Sequence, residues 1–504
     1  MMMMKTATIM RIKKMNFFEK IRETIMKFFR TDAEKEFNVE FITSPEIENS
    51  QQRWNDIING SPFWVDPKKN DIRTINFAKF ICQYTAKKAC MDLSVSVTGS
   101  ERADFINKCI RAMVDTSIRD KVEDMLGVGG IILKPNGSMN PDNMIDYIMP
   151  WDFAITEKTS NGDIRGCIFI NRLLKDKVYY YRLEYHHFTT SKNKEGEEMN
   201  VYEIQNRAFK SNSSNSLGKK IELHDVPEWS SIEEVVHIMN VEKPLFAYLK
   251  TPFNNTIDYS SPEGVSIFSN ALMELRDLDI AWSKKGNEVE DSQHITFIDE
   301  NAMTKQGKGG IRSSTVELPR FVKGLKLGLD SKSTIDEHVP TMLTSDRITD
   351  INSVLSMIST KCGFSQGQFI LDRKSGRLTA TQVESDDNET VETINDIRKC
   401  IKTALKNLIY AINVFCDLYG IPSGYVDALD DDVPDEDIFY FKDLLASFEQ
   451  DRSRAYNLMI QGIYSKRKYL KEYEGFNDDE VDAMFAERAQ EDAERNSGGL
   501  FGEE

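Results

Sequence analysis

The stretch CGFSQGQFILDRKSGRLTATQVESDDNETVETINDIRKCIKTALKNLI, residues 362–409, joins two kinds of structure without a break. Its first half combines turn-forming residues with basic ones, which predicts a hairpin with a basic tip. Its second half has apolar residues at every third or fourth position, which predicts an amphipathic helix. We expect this helix over residues 379–419, where it would extend about 60 Å at 1.5 Å per residue. A helix of that length is expected to bridge domains.

The long helix has one apolar face and a charged opposite face. Gly420, followed by IPSG, ends it. The side chains that we expect to be buried are Val391, Ile394, Ile397, Ile401, Leu405, Leu408, Ile412 and Phe415.

Two more helices precede this stretch, with a strand-like segment between them. Residues 262–293 have near-heptad apolar spacing and a charged opposite face, with Ser261 as the candidate N-cap, and predict the first helix. Its apolar stripe consists of Val265, Phe268, Leu272, Leu275, Trp282 and Val289. Residues 345–360 predict the second helix, with Ile348, Ile351, Leu355 and Ile358 on one stripe. The segment between them holds seven Lys or Arg against two acids over residues 301–332. It is either a solvated face or a contact surface for a partner protein or DNA. Its candidate contact residues are Lys305, Lys308, Arg312, Arg320, Lys323 and Lys326.

The N-terminal half changes its periodicity. Residues 54–126 are helical in pattern, whereas residues 145–223 alternate with a period of two, which predicts an antiparallel sheet of about four to six strands. His186 and His187 are adjacent in a predicted strand, so their side chains point to opposite faces. They therefore cannot form one metal site, and a structural role is favoured.

Charge is unevenly distributed along the 504 residues. The net charge is −17, but residues 427–504 carry 9 basic residues against 22 acids, and residues 1–30 carry 8 against 2. A chain this acidic should not hold duplex DNA by bulk charge, because binding to phosphates needs a basic surface. Any contact with nucleic acid is expected to be local and weak.

The basic N-terminus, residues 1–30, has apolar residues at helical spacing. It lacks the uninterrupted apolar core of a secretory signal, and no apolar run in the chain approaches the length of a membrane span. A basic amphipathic helix can lie on a membrane. The favoured interpretation is a surface arm docked by its apolar residues.

Signatures of catalysis are missing from the sequence. There is no P-loop, no GxSxG and no HExxH motif. The seven cysteines are scattered without CxxC pairs, which indicates reduced thiols rather than a zinc site or disulfides. We therefore expect a non-enzymatic structural or assembly protein, with no cofactor, no metal and no catalytic residue.

The order of these elements resembles the portal proteins of tailed bacteriophages, of the group common in phages of Gram-positive bacteria. KPLFAYLKTPFNNTIDYSSPEGVSIFSNALMELRDLD, residues 243–279, is similar to the family's pLFayfk.p..Nn.d..splGvSif segment. CGFSQGQFILDRKSGRLTATQVES is similar to its Gls.gtf.fd...g.kTATEV segment, with GRLTATQV in place of the usual Lys-Thr-Ala-Thr-Glu-Val. LMIQGIYSKRKYLKEYEGFNDDEVDAMFAE resembles the family's helical ending.

The resemblance implies an α+β portal fold with a mixed wing domain, a two-helix stem, a small β-containing clip, a long bridging helix and a helical crown. The implied parts are an N-terminal arm (1–30), wing (31–261), first stem helix (262–293), clip (294–343), second stem helix (344–363), tunnel loop (364–378), long wing helix (379–420) and crown (421–504).

The implied function is a ring, usually of twelve copies, at one capsid vertex of the virion. Through it a separate terminase packages double-stranded DNA, and DNA later leaves by the same channel. The implied partners are the terminase large subunit, head-completion or connector proteins, and the major capsid and scaffold proteins, assembled in the bacterial cytoplasm without a membrane. The loop residues Arg373, Lys374 and Arg377 would meet DNA phosphates, and the clip would meet the motor.

Two alternatives stay open at this point. One is another head-to-tail connector or minor capsid protein, which would need neither the helix–strand–helix order nor a ring around DNA. The other is a membrane-surface protein that uses residues 1–30, for which liposome binding would be lost when those residues are deleted.

Overall fold

The computed structural model describes residues 31–66, 68, 72–192, 198–213, 216–291, 295–299, 305–306, 312–313, 322–325, 335–338, 343–371, 380–442, 444, 448–472, 481–482 and 484–488. The chain divides into two compact units, Met1–Phe441 and Lys442–Glu504. Helices and largely antiparallel sheets occupy separate blocks of the sequence, so the fold is α+β. The predicted N-terminal arm, residues 1–30, lies outside the described residues.

The α-helices of the described residues 45–472 are numbered in chain order. They are α1 (Pro45–Ile58), α2 (Phe77–Ala89), α3 (Glu101–Thr116), α4 (Ile118–Val128), α5 (Leu272–Asp291), α6 (Thr344–Lys361), α7 (Ala380–Leu418), α8 (Asp435–Ile438), α9 (Phe448–Ile460) and α10 (Lys466–Glu472).

The described strands fall into five sheets. They are β1 (Ser94–Val95), β2 (Gly130–Pro135), β3 (Ile145–Ile148), β4 (Phe153–Lys158), β5 (Ile164–Lys175), β6 (Val178–Lys192), β7 (Glu198–Ser211), β8 (Lys219–Ile221), β9 (Val235–Met239), β10 (Ala247–Lys250), β11 (Ile295–Asp299), β12 (Lys305–Gln306), β13 (Arg312–Ser313), β14 (Val322–Leu325), β15 (Ile335–His338) and β16 (Phe439–Tyr440).

The largest sheet has six antiparallel strands in the order β4–β5–β6–β7–β8, with β9 also paired to β7. Both of its faces are covered: Ile168 and Leu183 belong to one apolar cluster, and Phe169 belongs to another. This alternation follows the period of two in the sequence. The predicted antiparallel sheet is confirmed. Its limits differ, because β3 pairs with β2 in a separate sheet and β9 lies beyond the predicted end.

Helix α7 crosses the first unit and confirms the predicted long helix, with bounds within a residue of those expected. It packs on the small sheet β10–β2–β3 and beside α2 and α3. Six residues of the predicted stripe are fully buried, whereas Val391 and Phe415 are half-buried. The fully buried side chains are Ile394, Ile397, Ile401, Leu405, Leu408 and Ile412.

The start of the first predicted stem helix is wrong. Residues 262–268 are buried but not helical, and α5 begins only at Leu272, after a 3-10 turn at Ser269–Ala271. The reason is a close backbone contact. A Cβ atom on Gly264 would lie 2.1 Å from the carbonyl oxygen of Gly129, so this segment threads through the core instead of forming a surface helix.

Further contacts fix the same buried segment. The backbone N–H of Ile267 donates to the carbonyl of Leu126 at 3.0 Å. The buried Glu263 accepts from the Gln51 side chain at 3.3 Å and from the Ser261 hydroxyl at 3.1 Å. Burial raises the pKa of Glu263, although these hydrogen bonds oppose the rise. Ser261 therefore anchors a loop, and it is not the N-cap that we expected.

The second unit begins later than the predicted crown. Residues 421–441 pack within the first unit, because β16 pairs with β1 and Asp427 bonds to Thr98. The second unit contains α9 and α10. They contact each other through Tyr456 and Tyr469, whose ring centroids are 5.8 Å apart. Helix α10 starts directly after Ser465.

Candidate functional site

Helices α5 and α6 form an antiparallel pair that is tied at both ends. Near one end Lys361 Nζ lies 2.5 Å from Glu274 Oε1. Near the other end Arg347 Nε lies 2.9 Å from Glu288 Oε2, and the backbone N–H of Leu343 donates to the same carboxylate at 2.7 Å. The two helices thus stand side by side over their whole shared length.

The side chains that α5 buries differ from its predicted apolar stripe. Leu275, Leu278 and Ala281 are buried, but Trp282 and Val289, which we expected to be buried, are exposed. The predicted stripe of α6 is largely confirmed, with Ile351, Leu355 and Ile358 buried and Ile348 half-buried. The near-heptad spacing failed in α5 because its first members belong to the non-helical segment.

Between the two helices the chain forms short strands, as predicted. β11 pairs in parallel with β14 and antiparallel with β15, and β12 pairs with β13. Three of the candidate contact residues lie on these strands: Lys305 on β12, Arg312 on β13 and Lys323 on β14. The pairing brings Lys305 and Arg312 into one small sheet and leaves Lys323 in the other. Lys308, Arg320 and Lys326 lie outside the described residues.

The base of the predicted basic loop is clamped between α6 and α7. Gly363 has φ +80°, and its carbonyl accepts a hydrogen bond from the Thr393 hydroxyl. The backbone N–H of Ser365 donates to Thr390 Oγ1 at 3.0 Å, and the two hydroxyls are 3.1 Å apart. Further on, the backbone N–H of Leu371 donates to Asn352 Oδ1 at 2.8 Å.

An aromatic cluster supports the same base from the side of α2. Phe369 packs edge-on against Phe77, Tyr84 and Phe364, with ring centroids 5.3–5.6 Å apart. Gln368 Nε2 donates to the Tyr84 hydroxyl at 2.7 Å. Aromatic pairs at these separations stabilise beyond the burial of their area. The loop base is therefore held rigidly against α2, α6 and α7. We call the first unit without α5, α6 and the strands between them the body.

The predicted tip residues Arg373, Lys374 and Arg377 lie outside the described residues, between Leu371 and Ala380. Where the predicted hairpin is described, residues 364–371, it consists of turns and contains no strand. In residues 364–371 the turn-forming residues therefore decide the local structure, although Phe369 and Ile370 favour strands.

A buried ionic cluster, which sequence reasoning missed, joins the small and large sheets. Lys134 Nζ on β2 lies 2.6 Å from Glu184 Oε1 on β6, and Arg182 lies 3.0 Å from Glu184 Oε2. Burial opposes ionisation of Glu184, but Lys134 and Arg182 outweigh it and hold the pKa of Glu184 well below its usual value. The sequence offered one signal for this cluster: Arg182 and Glu184 lie two residues apart in a predicted strand and therefore on the same face.

His186 completes this cluster in its neutral form. Its Nε2–H points to Glu184 at 2.7 Å, and its Nδ1 is 2.9 Å from the Tyr202 hydroxyl. Because that hydroxyl accepts from the backbone N–H of Leu245 at 3.1 Å, it donates to Nδ1. Burial lowers the pKa of His186, and Glu184 only partly opposes this.

His187 lies on the other face of β6, as predicted. Its ring stacks on Tyr185 at 4.2 Å, and Nε2 is 3.6 Å from Glu203. Glu203 also pairs with His237 across the neighbouring strand. The two adjacent histidines thus make separate contacts on opposite faces of β6, and a structural role for both stays a prediction.

The described residues contain no group of three or more His, Cys, Asp or Glu side chains arranged to hold a metal ion. All seven cysteines are described and free, and burial raises the pKa of each thiol. In the same part of the chain, no helix has the length and apolar character needed to cross a bilayer.

Comparison with known proteins gives distant structural likenesses. No protein-family model and no curated protein sequence matches the chain. A chain from "Virion of native gene transfer agent (GTA) particle" matches with a TM-score of 0.33 and 9% identity, covering 84% of this chain and 92% of that chain. A chain from "Neck of native GTA particle computed with C12 symmetry" matches with a TM-score of 0.32 and 9% identity, covering 78% and 88% respectively. TM-scores this low do not establish a common fold.

Proposed function

We propose that this protein is a phage portal: a non-enzymatic, ring-shaped channel at one capsid vertex, for DNA packaging by a terminase, DNA ejection and attachment of the tail. Its partners in this proposal are further copies of itself, usually twelve in a ring, together with the terminase large subunit, connector proteins, and capsid and scaffold proteins. Double-stranded DNA passes through the channel. The protein would assemble in the bacterial cytoplasm and reside in the virion.

One observation carries the proposal. An antiparallel helix pair, α5 and α6, is tied at both ends and holds a small β segment at one end. Its other end continues directly into a loop base that is clamped to α2, α6 and α7. We call the pair α5–α6 the column. Strands β11 to β15 lie between its two helices in the chain, and the loop base, residues 363–371, follows α6 directly. A rigid helix pair with a firmly held loop suits a channel that must bear the force of DNA movement.

The basic loop would make the direct contact with DNA. Arg373, Lys374 and Arg377 would meet DNA phosphates, and charge contacts with phosphate are individually weak and screened by salt. Contacts of that kind, repeated around a ring, break and reform as DNA slides. The chain as a whole has a net charge of −17, so its acidic surface repels DNA and limits adhesion outside the loop.

Electron microscopy of the purified chain, with mass from light scattering, tests the proposal. We expect annular particles with a central channel and about twelve subunits. A compact dimer or a filled particle would favour a connector or minor capsid protein instead.

Replacing Arg373, Lys374 and Arg377 together by Ala tests the loop. We expect intact rings but few DNA-filled capsids, measured as DNase-protected DNA per capsid. The matched control is Lys399→Ala, an exposed lysine on α7 whose described ion pair is to Asp396 one turn away. Packaging by the triple variant at the level of the control would remove these residues from the mechanism.

A further inference from the structure

Strand β9 leaves one edge of the large sheet open. In the described part of the chain it pairs with β7, and the backbone N–H of Asn206 on β7 donates to the carbonyl of Glu234, just before β9, at 2.7 Å. Because bonded and non-bonded pairs alternate in an antiparallel ladder, the N–H and C=O groups of Val235, His237 and Met239 point away from β7. Among the described residues these outward groups have no backbone partner. The edge can therefore accept a further strand.

The side chains along this open edge do not protect it. Val235 is 37% exposed and Met239 is 54% exposed, and His237 between them is exposed as well. Many proteins protect an edge strand with lysine, proline or a bulge, but β9 has neither residue and its pairing with β7 is regular. Extended peptides add to sheet edges of this kind, because the open N–H and C=O groups supply the hydrogen bonds.

Acidic side chains lie at both ends of β9. Glu233 and Glu234 precede the strand and Glu242 follows it, and all three are exposed. Within the described residues none of the three carboxylates forms an ion pair. An occupant with basic ends would therefore complement this edge.

The other charged groups near the edge are already engaged. Arg207 on β7 lies 3.6 Å from Glu36, and Lys243 lies over an aromatic ring of α7, 5.8 Å from its centre. Glu203 on β7 pairs with His237. The charge that remains without a partner beside β9 is thus negative.

The stretch KTATIMRIKK, residues 5–14, has the composition that this edge requires. It belongs to the predicted N-terminal arm and lies outside the described residues. Four of the seven residues 6–12 are β-branched, and the stretch contains no glycine or proline, which favours a strand. Lys5 begins the stretch, and Arg11, Lys13 and Lys14 end it.

The chain enters its described part beside the start of β9. Glu36 lies 3.6 Å from Arg207 on β7. Asn206, the neighbour of Arg207, is the residue that bonds to Glu234 at the start of β9. Residues 15–30 connect the two places, and they would span about 24 Å even as a helix at 1.5 Å per residue. The N-terminal stretch of the same chain can therefore reach β9.

We propose that residues 5–14 add to β9 of their own chain as an antiparallel strand, which becomes the outermost strand of the large sheet. The antiparallel direction places the basic end of the stretch beside the two acids that precede β9, and Lys5 beside Glu242. Because the stretch is tethered, its effective concentration at the edge is in the millimolar range, so a weak strand contact is sufficient. The inference concerns the isolated chain and does not depend on the proposed function.

Hydrogen–deuterium exchange of the full chain, read by mass spectrometry on fragments that contain β9, tests the proposal. The outward N–H groups of β9 should exchange more slowly in the unmodified chain than in the variant Ile9→Pro, by about tenfold or more, because proline removes a ladder N–H and disrupts pairing. The control Met3→Pro changes the arm outside the stretch and should exchange like the unmodified chain. Equal exchange in the unmodified chain and in Ile9→Pro would overturn the inference.

A second pair of variants changes the edge instead of the arm. His237→Pro and His237→Gln both lose the imidazole, but only His237→Pro loses the outward N–H, and neither removes a hydrogen bond to β7. Trypsin should cleave after Arg11, Lys13 and Lys14 about tenfold faster in His237→Pro than in His237→Gln, because the arm is released. Urea denaturation of both variants, expected to agree, shows that the sheet itself is intact. Equal cleavage of the two would overturn the inference.

The state of assembly identifies the source of the strand. Monomeric chain, separated by gel filtration, should show the same slow exchange at β9 as assembled particles. Slow exchange in assembled particles alone would show that the strand comes from another copy, and would overturn the inference. Rings without slow exchange at β9 would support the portal and overturn the inference, whereas filled particles with it would do the reverse.

Discussion

Helix α7 and the pair α5–α6 have similar periodic sequences but very different surroundings. The apolar stripe of α7 is buried within one chain from Ile394 to Ile412. The pair buries only its inner side and leaves charged and apolar side chains outward, including Trp282 and Met357. The difference shows that the stripe of α7 is covered within one chain, whereas α5 and α6 keep exposed apolar side chains in it. The following predictions test that contrast, from the largest effect to the smallest.

The largest effect is expected when the buried ionic cluster of the body is broken. Glu184→Gln leaves Lys134 buried without its counter-charge, and should lower the free energy of unfolding by about 3–5 kcal/mol, measured by urea denaturation. The matched variant on the column, Glu274→Gln, breaks a more exposed pair with Lys361 and should cost about 0.5 kcal/mol. Equal losses of unfolding free energy for the two variants would show that the Glu274–Lys361 pair matters as much for folding as the buried Glu184–Lys134 pair.

Truncation of apolar side chains should separate folding from assembly. Leu405→Ala opens a cavity in the core beneath α7 and should cost about 2–5 kcal/mol in unfolding free energy. Met357→Ala, on the outer face of α6, should cost about 0.5 kcal/mol or less. Its effect should appear instead in the assembled fraction, measured by light scattering. A strongly destabilised Met357→Ala chain would show that this face is already covered.

A pair of glycines gives effects of opposite sign. Gly264→Ala places a Cβ against the backbone of Gly129 and should destabilise by about 1–3 kcal/mol, through overpacking. Gly286→Ala on α5 meets nothing within 4 Å and should stabilise by about 0.5–1 kcal/mol, because alanine is the better helix former. Thermal melts of both variants measure this, and destabilisation by Gly286→Ala would reveal a contact on the column.

The pH dependence should come from the body, since α5 and α6 contain no histidine. The pKa of His186 is lowered by burial, so protonation favours the unfolded chain as the pH falls below the unfolded value of about 6.5. The contribution of His186 should be constant above this pH, and stability should decline below it, by at most about 1.4 kcal/mol per pH unit for one histidine. Glu184, whose pKa is lowered, adds a further loss only when the pH falls below about 4.5, its unfolded value.

Urea denaturation at pH 7.5 and pH 5.5 measures this slope. His186→Gln should reduce the slope, whereas His224→Gln, which changes an exposed histidine, is the control. An unchanged slope in His186→Gln would show that the decline arises elsewhere, for instance at His187, whose pKa is also lowered by burial.

The sequence by itself determined the elements whose pattern is local. The alternation of β5 to β7, the stripe of α6 and the length of α7 follow from periods of two and about 3.6, which depend only on backbone geometry. The order of helix, strands and helix was likewise readable. For the loop tip, Arg373 to Arg377, the sequence supports a prediction that stays open.

Only the tertiary structure decided the features that join distant segments. Gly264 and Gly129 are far apart in the chain, and their contact replaced a predicted helix turn with a buried extended segment. Lys134 and Glu184 meet because two sheets pack together, and no local pattern specifies a partner fifty residues away. The alignment of α5 with α6 is fixed by ion pairs at both ends, Lys361 with Glu274 and Arg347 with Glu288, which join residues 87 and 59 positions apart. Long-range packing chooses among local preferences that differ by about 1 kcal/mol per residue or less, and therefore overrides them.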